Sequence, residues 1–121
     1  MKILFFTGSR AEYYLLRPLI KKFSILNDTQ ISLIVTGGIL NESSGKTLKD
    51  INDDQIKIIA KIPLENNVLN HSNSIGMLCI KLLPIIQDFK PDLSIVYADR
   101  YESFGFAIAV SHSNVPLMHL E

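Results

Sequence analysis

Apolar residues occur along the chain in short runs that alternate with longer amphipathic stretches. Five short runs are rich in Val, Ile, Leu and Phe, which is typical of strands buried on both faces of a sheet. They cover residues 3–7, 31–36, 56–62, 93–97 and 115–119. Helical spacing occupies residues 11–25, 44–51, 75–89 and 101–111. This alternation predicts an α/β fold with a doubly wound parallel sheet.

The same pattern predicts how the strands are arranged. In a doubly wound sheet the first and fourth strands are neighbours at the switch point, so we expect the strand order 3-2-1-4-5. Ligands of such sheets bind in the crevice beyond the carboxyl ends of the strands. Two details carry separate expectations: Pro84 should kink or split the third helix, and residues 64–74 should form a loop.

Composition narrows the class of protein. The chain has 121 residues, 47% of them hydrophobic, and twelve Lys and Arg balance twelve Asp and Glu. We expect a single domain over residues 1–121 that presents no surface for nucleic acid or for a membrane. Cys79 is the only cysteine, which excludes an internal disulfide, and no apolar segment approaches the roughly 20 residues of a membrane span. A cytoplasmic protein is predicted.

Two strand ends share a pattern of residue types. The first reads TGSRAEYY and the fourth reads YADRYESF. Each has a capping residue, Ser9 or Asp99, and a glutamate three positions later, Glu12 or Glu102, which is the spacing of a capping box at a helix start. The pattern therefore predicts two capped helices, and capping alone is one explanation of Asp99.

Capping does not explain the arginines, Arg10 and Arg100, that follow the two capping residues. A cation in the first turn of a helix opposes the helix dipole. Because it occurs at two neighbouring strand ends, we expect two guanidinium groups that face one anion beside helix N-terminal amides.

The end of the fifth strand adds chemistry to the same crevice. His119 and Glu121 should lie beside the fourth strand, so Asp99 and Glu121 become two carboxylates within reach of one ligand. Such a pair suits proton transfer on a sugar. Taken alone, Glu121 is also explained as a terminal acid in solvent. After the second strand, Gly37 predicts a tight turn or a close approach to ligand.

Four segments together carry a resemblance to a known family. They are TGSRAEYYLLRPL after the first strand, VTGG after the second, ADRYESFGFAIA after the fourth and NVPLMHLE at the end of the chain. They resemble the hydrolysing UDP-N-acetylglucosamine 2-epimerases, over residues 1–121. The resemblance implies the N-terminal Rossmann-like half of a two-domain GT-B-like enzyme that converts UDP-N-acetylglucosamine and water into N-acetylmannosamine and UDP, for sialic acid synthesis.

The resemblance also implies roles for individual residues. Asp99 and Glu121 match catalytic carboxylates, and Arg10 matches an arginine at the substrate diphosphate. Gly8, Ser9, Arg100, Gly37 and His119 are the further residues expected to line the substrate site. No cofactor and no metal is implied. The UDP-sugar is the expected partner, and the full-length enzyme is expected to be a homodimer or higher homo-oligomer.

Departures from the family pattern shape these expectations. Ala98 stands where glycine usually precedes the Asp-Arg pair, and Leu15 stands where non-hydrolysing relatives have lysine, which favours the hydrolysing branch. The family continues beyond HLE into a second domain that holds most of the nucleotide. We therefore expect this chain to be one domain of a longer enzyme, and to be inactive alone.

Two alternatives remain open at this point. One is a different sugar-nucleotide enzyme on the same scaffold, either the GDP-linked 2-epimerase of legionaminic acid synthesis or a GT-B glycosyltransferase. The other is a non-enzymatic, receiver-like βαβ module. A receiver needs acidic residues after strands one and three, where this chain has Ser9 and Pro63.

Overall fold

The computed structural model describes residues 1–65 and 70–121. Five strands form one parallel sheet in the order β3-β2-β1-β4-β5. The strands are β1 (Lys2–Thr7), β2 (Gln30–Thr36), β3 (Ile58–Ile62), β4 (Leu93–Tyr97) and β5 (Leu117–Leu120). Four α-helices lie between them: α1 (Arg10–Ser24), α2 (Lys46–Asp53), α3 (His71–Phe89) and α4 (Tyr101–Ser111). The predicted strand order is confirmed.

Both faces of the sheet are covered by helices, because successive strand side chains point to opposite faces. In β1, Leu4 and Phe6 pack with α3 and α4, and Ile3 and Phe5 pack with α1 and α2. The ring of Phe6 stacks on that of Phe106 of α4, with centroids 4.6 Å apart. Two apolar layers on one sheet confirm the doubly wound, Rossmann-like fold.

The third helix differs from its prediction in two ways. It begins at His71, so residues 71–74 of the predicted loop form its first turn; residues 66–69 of that loop lie outside the described residues. It also continues through Pro84 without a split. The carbonyl that loses its partner to proline is that of Ile80, a residue 75% exposed, so water can satisfy the carbonyl.

A buried carboxylate at the end of α2 fixes α1 against it. Asp54 accepts two hydrogen bonds from Arg17, at 2.6 and 2.9 Å, and one from the Tyr13 hydroxyl at 2.8 Å. Lys21 Nζ lies 2.9 Å from Asp54 Oδ1. The Arg17 hydrogen bonds hold the pKa of the Asp54 carboxyl well below its usual range. These contacts tie α1, from Tyr13 to Lys21, to the end of α2.

Within the described residues, no helix is both long enough and apolar enough to cross a membrane.

Candidate functional site at the carboxyl ends of the strands

The loops after β1 and β2 meet through backbone contacts. The Gly38 N–H donates to the carbonyl of Gly8 at 3.0 Å. Gly37 has φ +61°, and a Cβ atom built there would lie 2.7 Å from the same carbonyl. Glycine is therefore required at residue 37 both by its conformation and by the lack of space. The tight turn predicted for Gly37 is present.

The start of α1 forms the predicted capping box. The Glu12 N–H donates to Ser9 Oγ at 3.3 Å, and Glu12 Oε2 accepts from the N–H groups of Ser9 and Gly8, at 3.1 and 2.8 Å. Both backbone groups of Gly8 are thus bonded inside the protein. The contacts predicted between substrate and Gly8 or Ser9 remain predictions.

Glu12 is buried, with 4% of its surface exposed. Its Oε1 has no hydrogen-bond partner among the described residues and lies 3.8 Å from Arg100 Nε. Burial raises the pKa of the Glu12 carboxyl above its usual value, against the opposing effect of the Gly8 N–H. This is a carboxylate whose negative charge the protein only partly compensates.

The start of α4 departs from its prediction. Its N-cap is Arg100, not Asp99, and no side-chain cap hydrogen bond forms there. Glu102 does not complete a capping box; its two carboxylate oxygens accept from Arg100 Nε and Nη2, at 3.1 and 3.0 Å. The prediction of a second capping box is wrong, because the charge of Arg100 outcompetes a backbone N–H for the buried Glu102.

Asp99 is among the lining residues of two clefts. The smaller, of about 290 Å³, is lined by Tyr97, Ala98, Asp99 and Glu121. The larger, of about 360 Å³, lies between β5 and α4. Its lining residues are Val96, Ala98, Asp99, Ser103, Phe104, Ala107, Leu117 and His119. The structure therefore brings Asp99 together with Glu121 in the smaller cleft and with His119 in the larger one.

The two arginines face different neighbours. The Arg10 guanidinium lies 5.8 Å from the centre of the Tyr14 ring, whose hydroxyl donates to Asp50 of α2. Arg10 also helps to lower the pKa of the Glu42 carboxyl, after the larger effect of the hydrogen bonds from Thr47. Arg100 instead contacts the two glutamates. Arg10 follows β1 and Arg100 follows β4, and these two strands are neighbours, as the predicted crevice requires.

Sequence reasoning missed the burial of Glu102, which is 1% exposed. A signal was available, since Glu102 is the only charged residue in the otherwise apolar YESFGFAIAVS of α4. A charge in such a helix requires a partner when it is buried. The arginine two residues earlier is that partner.

No cluster of metal-ligand side chains is present in the part of the chain that the structure describes. No group of three or more His, Cys, Asp or Glu side chains in residues 1–65 and 70–121 is arranged to hold an ion.

A parallel sheet with acids and arginines at its carboxyl edge is the class of site in which α/β enzymes bind nucleotide-derived ligands. The family model described as UDP-N-acetylglucosamine 2-epimerase matches residues 21–121. The chain belongs to the UDP-N-acetylglucosamine 2-epimerase family.

Individual relatives agree with this assignment. The chain is 34% identical, over 98% of its length, to a UDP-N,N'-diacetylbacillosamine 2-epimerase (hydrolyzing) of Legionella pneumophila. It is also 34% identical, again over 98% of its length, to the polysialic acid biosynthesis protein P7 of Escherichia coli. The chain spans only 32% and 31% of these relatives, about a third of their length.

A solved structure shows the same fold. The UDP-GlcNAc 2-epimerase of Neisseria meningitidis, bound to UDP-GlcNAc, superimposes with a TM-score of 0.82 at 21% identity. The superposition covers 100% of this chain and 32% of that one.

Proposed function

We propose that this chain supplies the acid–base half of a hydrolysing UDP-N-acetylglucosamine 2-epimerase that acts in sialic acid biosynthesis. The observation that carries the proposal is the cleft that Asp99 and Glu121 line together, at the ends of the adjacent strands β4 and β5. Two carboxylates in one cleft can remove and return protons on the same substrate. Membership in the epimerase family supports this chemistry.

The proposed reaction has two stages. A carboxylate takes the proton from C2 of the sugar, and the bond from C1 to UDP breaks with its electron pair on the departing diphosphate. The product of this stage is a 2-acetamidoglucal. Water then adds its hydroxyl to C1, and C2 receives a proton with inverted configuration, which gives N-acetylmannosamine. We assign these steps to Asp99 and Glu121 as a pair.

The arginines have a proposed role in the first stage. Arg10 stands at the end of β1, and a guanidinium group can bind a phosphate through two parallel hydrogen bonds. The Arg100 guanidinium at the end of the neighbouring strand already binds Glu102 through two N–H groups, so its proposed contribution is its positive charge. Charge that develops on the departing UDP would be stabilised there. Gly8, Ser9 and Gly37 complete the proposed substrate site, with the glycines providing close backbone approach, and His119 lines the adjoining larger cleft.

A second sugar substrate is favoured by the relatives. The two that are named for N,N'-diacetylbacillosamine, from Legionella pneumophila and Campylobacter jejuni, are 34% and 31% identical to this chain. The relative named UDP-N-acetylglucosamine 2-epimerase, from Neisseria meningitidis, is 23% identical. The Campylobacter protein is named for both GDP and UDP. UDP- or GDP-linked diacetylbacillosamine is therefore the second candidate.

The test uses a protein that carries this chain together with the further two thirds found in its relatives. It is incubated with UDP-N-acetylglucosamine and with UDP- and GDP-diacetylbacillosamine, and the free sugar and nucleotide are measured. We expect hydrolytic release of a 2-epimerised sugar from one of them, and none from the 121-residue chain alone. A folded long protein that releases no epimerised sugar from any of the three contradicts the proposal.

A further inference from the structure

The backbone turn that carries Asp99 has an unusual conformation. Ala98 has φ +67°, in the left-handed region that residues other than glycine rarely adopt. A side chain at residue 98 therefore resists the turn, and the surrounding structure has to hold it in place. Asp99 is the next residue, so its direction depends on what holds Ala98.

Two hydrogen bonds between this turn and β5 hold it in place. The Ala98 N–H donates to the carbonyl of Leu120 at 2.8 Å, and His119 Nε2 lies 2.9 Å from the carbonyl of Ala98. A carbonyl oxygen only accepts hydrogen bonds, so Nε2 carries the hydrogen. This polar atom of His119 is therefore already engaged with the backbone.

Arg100 holds the other end of the same turn. Its guanidinium is bound by the buried Glu102, through the pair of hydrogen bonds described above. Asp99 is thus the central residue of a turn that is fixed on both sides, and its carboxylate remains exposed to the clefts that it shares with Glu121 and with His119.

We propose that His119 is a positioning residue, whose Nε2–H holds the carbonyl of Ala98 and so keeps the left-handed turn that presents Asp99 to the cleft shared with Glu121. The catalytic role of Asp99 is taken from the proposed function. His119 itself does not need to touch the substrate. The hydrogen bond to a strained residue is what distinguishes this role from direct binding.

A first experiment reads the hydrogen on the imidazole in the 121-residue chain. Nitrogen-15 NMR of the His119 ring distinguishes the two neutral forms, because only one of them carries hydrogen on Nε2. We expect the Nε2–H form. A neutral ring that carries its hydrogen on Nδ1 overturns the proposal, whatever the enzyme activity proves to be.

A second experiment uses Ala98→Gly as a rescue. Glycine adopts positive φ without strain, so it maintains the turn when the hydrogen bond is lost. In the long protein, His119→Ala should lower kcat by about 10- to 100-fold, the scale of a misplaced catalytic group, with KM within about 2-fold of the parent. His119→Gln, which retains an N–H donor, should lose less.

The double variant decides between positioning and contact. His119→Ala with Ala98→Gly should regain most of the lost kcat, measured against Ala98→Gly alone. No recovery means that His119 acts on the substrate directly and overturns the proposal.

If the long protein has no epimerase activity, the proposed function fails, and the amide shift of Asp99 in the 121-residue chain decides instead. His119→Ala should move this shift in the parent, and should move it less in the Ala98→Gly background; an unmoved shift in the parent overturns the positioning role.

Discussion

The ends of β1 and β4 carry the same order of residue types, yet they use their acids differently. After β1, Ser9 caps the helix and Glu12 binds the backbone N–H groups that precede it. After β4, the acid in the capping position makes no cap, and Glu102 binds a side chain instead of the backbone. The comparison shows that capping-box spacing identifies a helix start but does not decide which side chains cap the helix.

The physical cause of the difference lies in the neighbouring strand. Ser9 is extended, with φ −141° and ψ 156°, which lets its side chain reach the first turn of α1. The backbone of Ala98 is held by β5 in a left-handed conformation, and the N-cap of α4 is Arg100 instead of Asp99. Asp99 is left outside the helix, where its carboxylate is accessible to a ligand.

The largest expected effect is on turnover in the long protein. Asp99→Asn retains shape but cannot exchange a proton, so kcat should fall by roughly 100-fold or more. Stability should stay within about 0.5 kcal/mol, because Asp99 is an exposed residue without a cap bond. Steady-state kinetics and urea unfolding measure the two quantities. Near-normal turnover of Asp99→Asn would contradict the catalytic assignment.

The next largest effect is on stability, and it should differ between variants of the two arginines. Arg100→Gln should lower the free energy of unfolding by about 2 kcal/mol, because the buried Glu102 loses its charged partner. The matched control is Arg10→Gln at the other strand end, which should change it by no more than about 0.5 kcal/mol. Urea midpoints measure both. Equal losses would mean that the Glu102 ion pair contributes nothing.

A smaller effect compares the two capping positions directly. Ser9→Ala should lower the free energy of unfolding by about 1 kcal/mol, the usual loss when an N-cap side chain is removed. Asp99→Ala should cost no more than about 0.5 kcal/mol, because α4 does not use this side chain. Thermal unfolding of the 121-residue chain measures both. A similar loss in the two variants would return Asp99 to the role of a cap.

The last effect concerns the sign of a pH dependence. The pKa of the Glu12 carboxyl is raised by burial, so the folded chain binds this proton more tightly than the unfolded chain. Its contribution to stability is therefore present at acid pH and is lost as pH rises from about 4, the ordinary glutamate value, through the raised value. Glu12→Gln cannot titrate. As pH rises over this range, the free energy of unfolding of the parent should fall relative to that of Glu12→Gln. A relative increase for the parent would contradict the raised pKa.

Periodicity and topology rules were enough to predict the sheet. Runs of Val, Ile and Leu identified strands buried on both faces, and the switch-point rule placed β1 beside β4. Boundaries were less accurate: β5 begins at Leu117, not at residue 115, because the Val115 N–H donates to the carbonyl of Val110 at the end of α4. Such turn bonds leave no periodic signal.

The candidate site was predictable as a set of residues but not as a set of contacts. Asp99 and Glu121 follow β4 and β5, and His119 lies near the end of β5, so their proximity could be inferred from strands that the topology makes neighbours. The bond from His119 to Ala98 depends on a backbone angle that the residue type disfavours, which no propensity could indicate. The burial of Glu102 was signalled by the apolar residues around it in α4, but its two hydrogen bonds with Arg100 follow from the packed geometry of the turn.

The contact between Gly8 and Gly37 also limits how this domain can diversify during evolution. Any side chain at residue 37 would collide with the Gly8 carbonyl, and one at residue 8 would press on Glu102, 3.2 Å away. Neither position offers a route to a new substrate. Changes of specificity within this domain must arise where side chains have room, such as the half-exposed Phe104 at the larger cleft. Libraries that test the proposed sugar specificity should begin there.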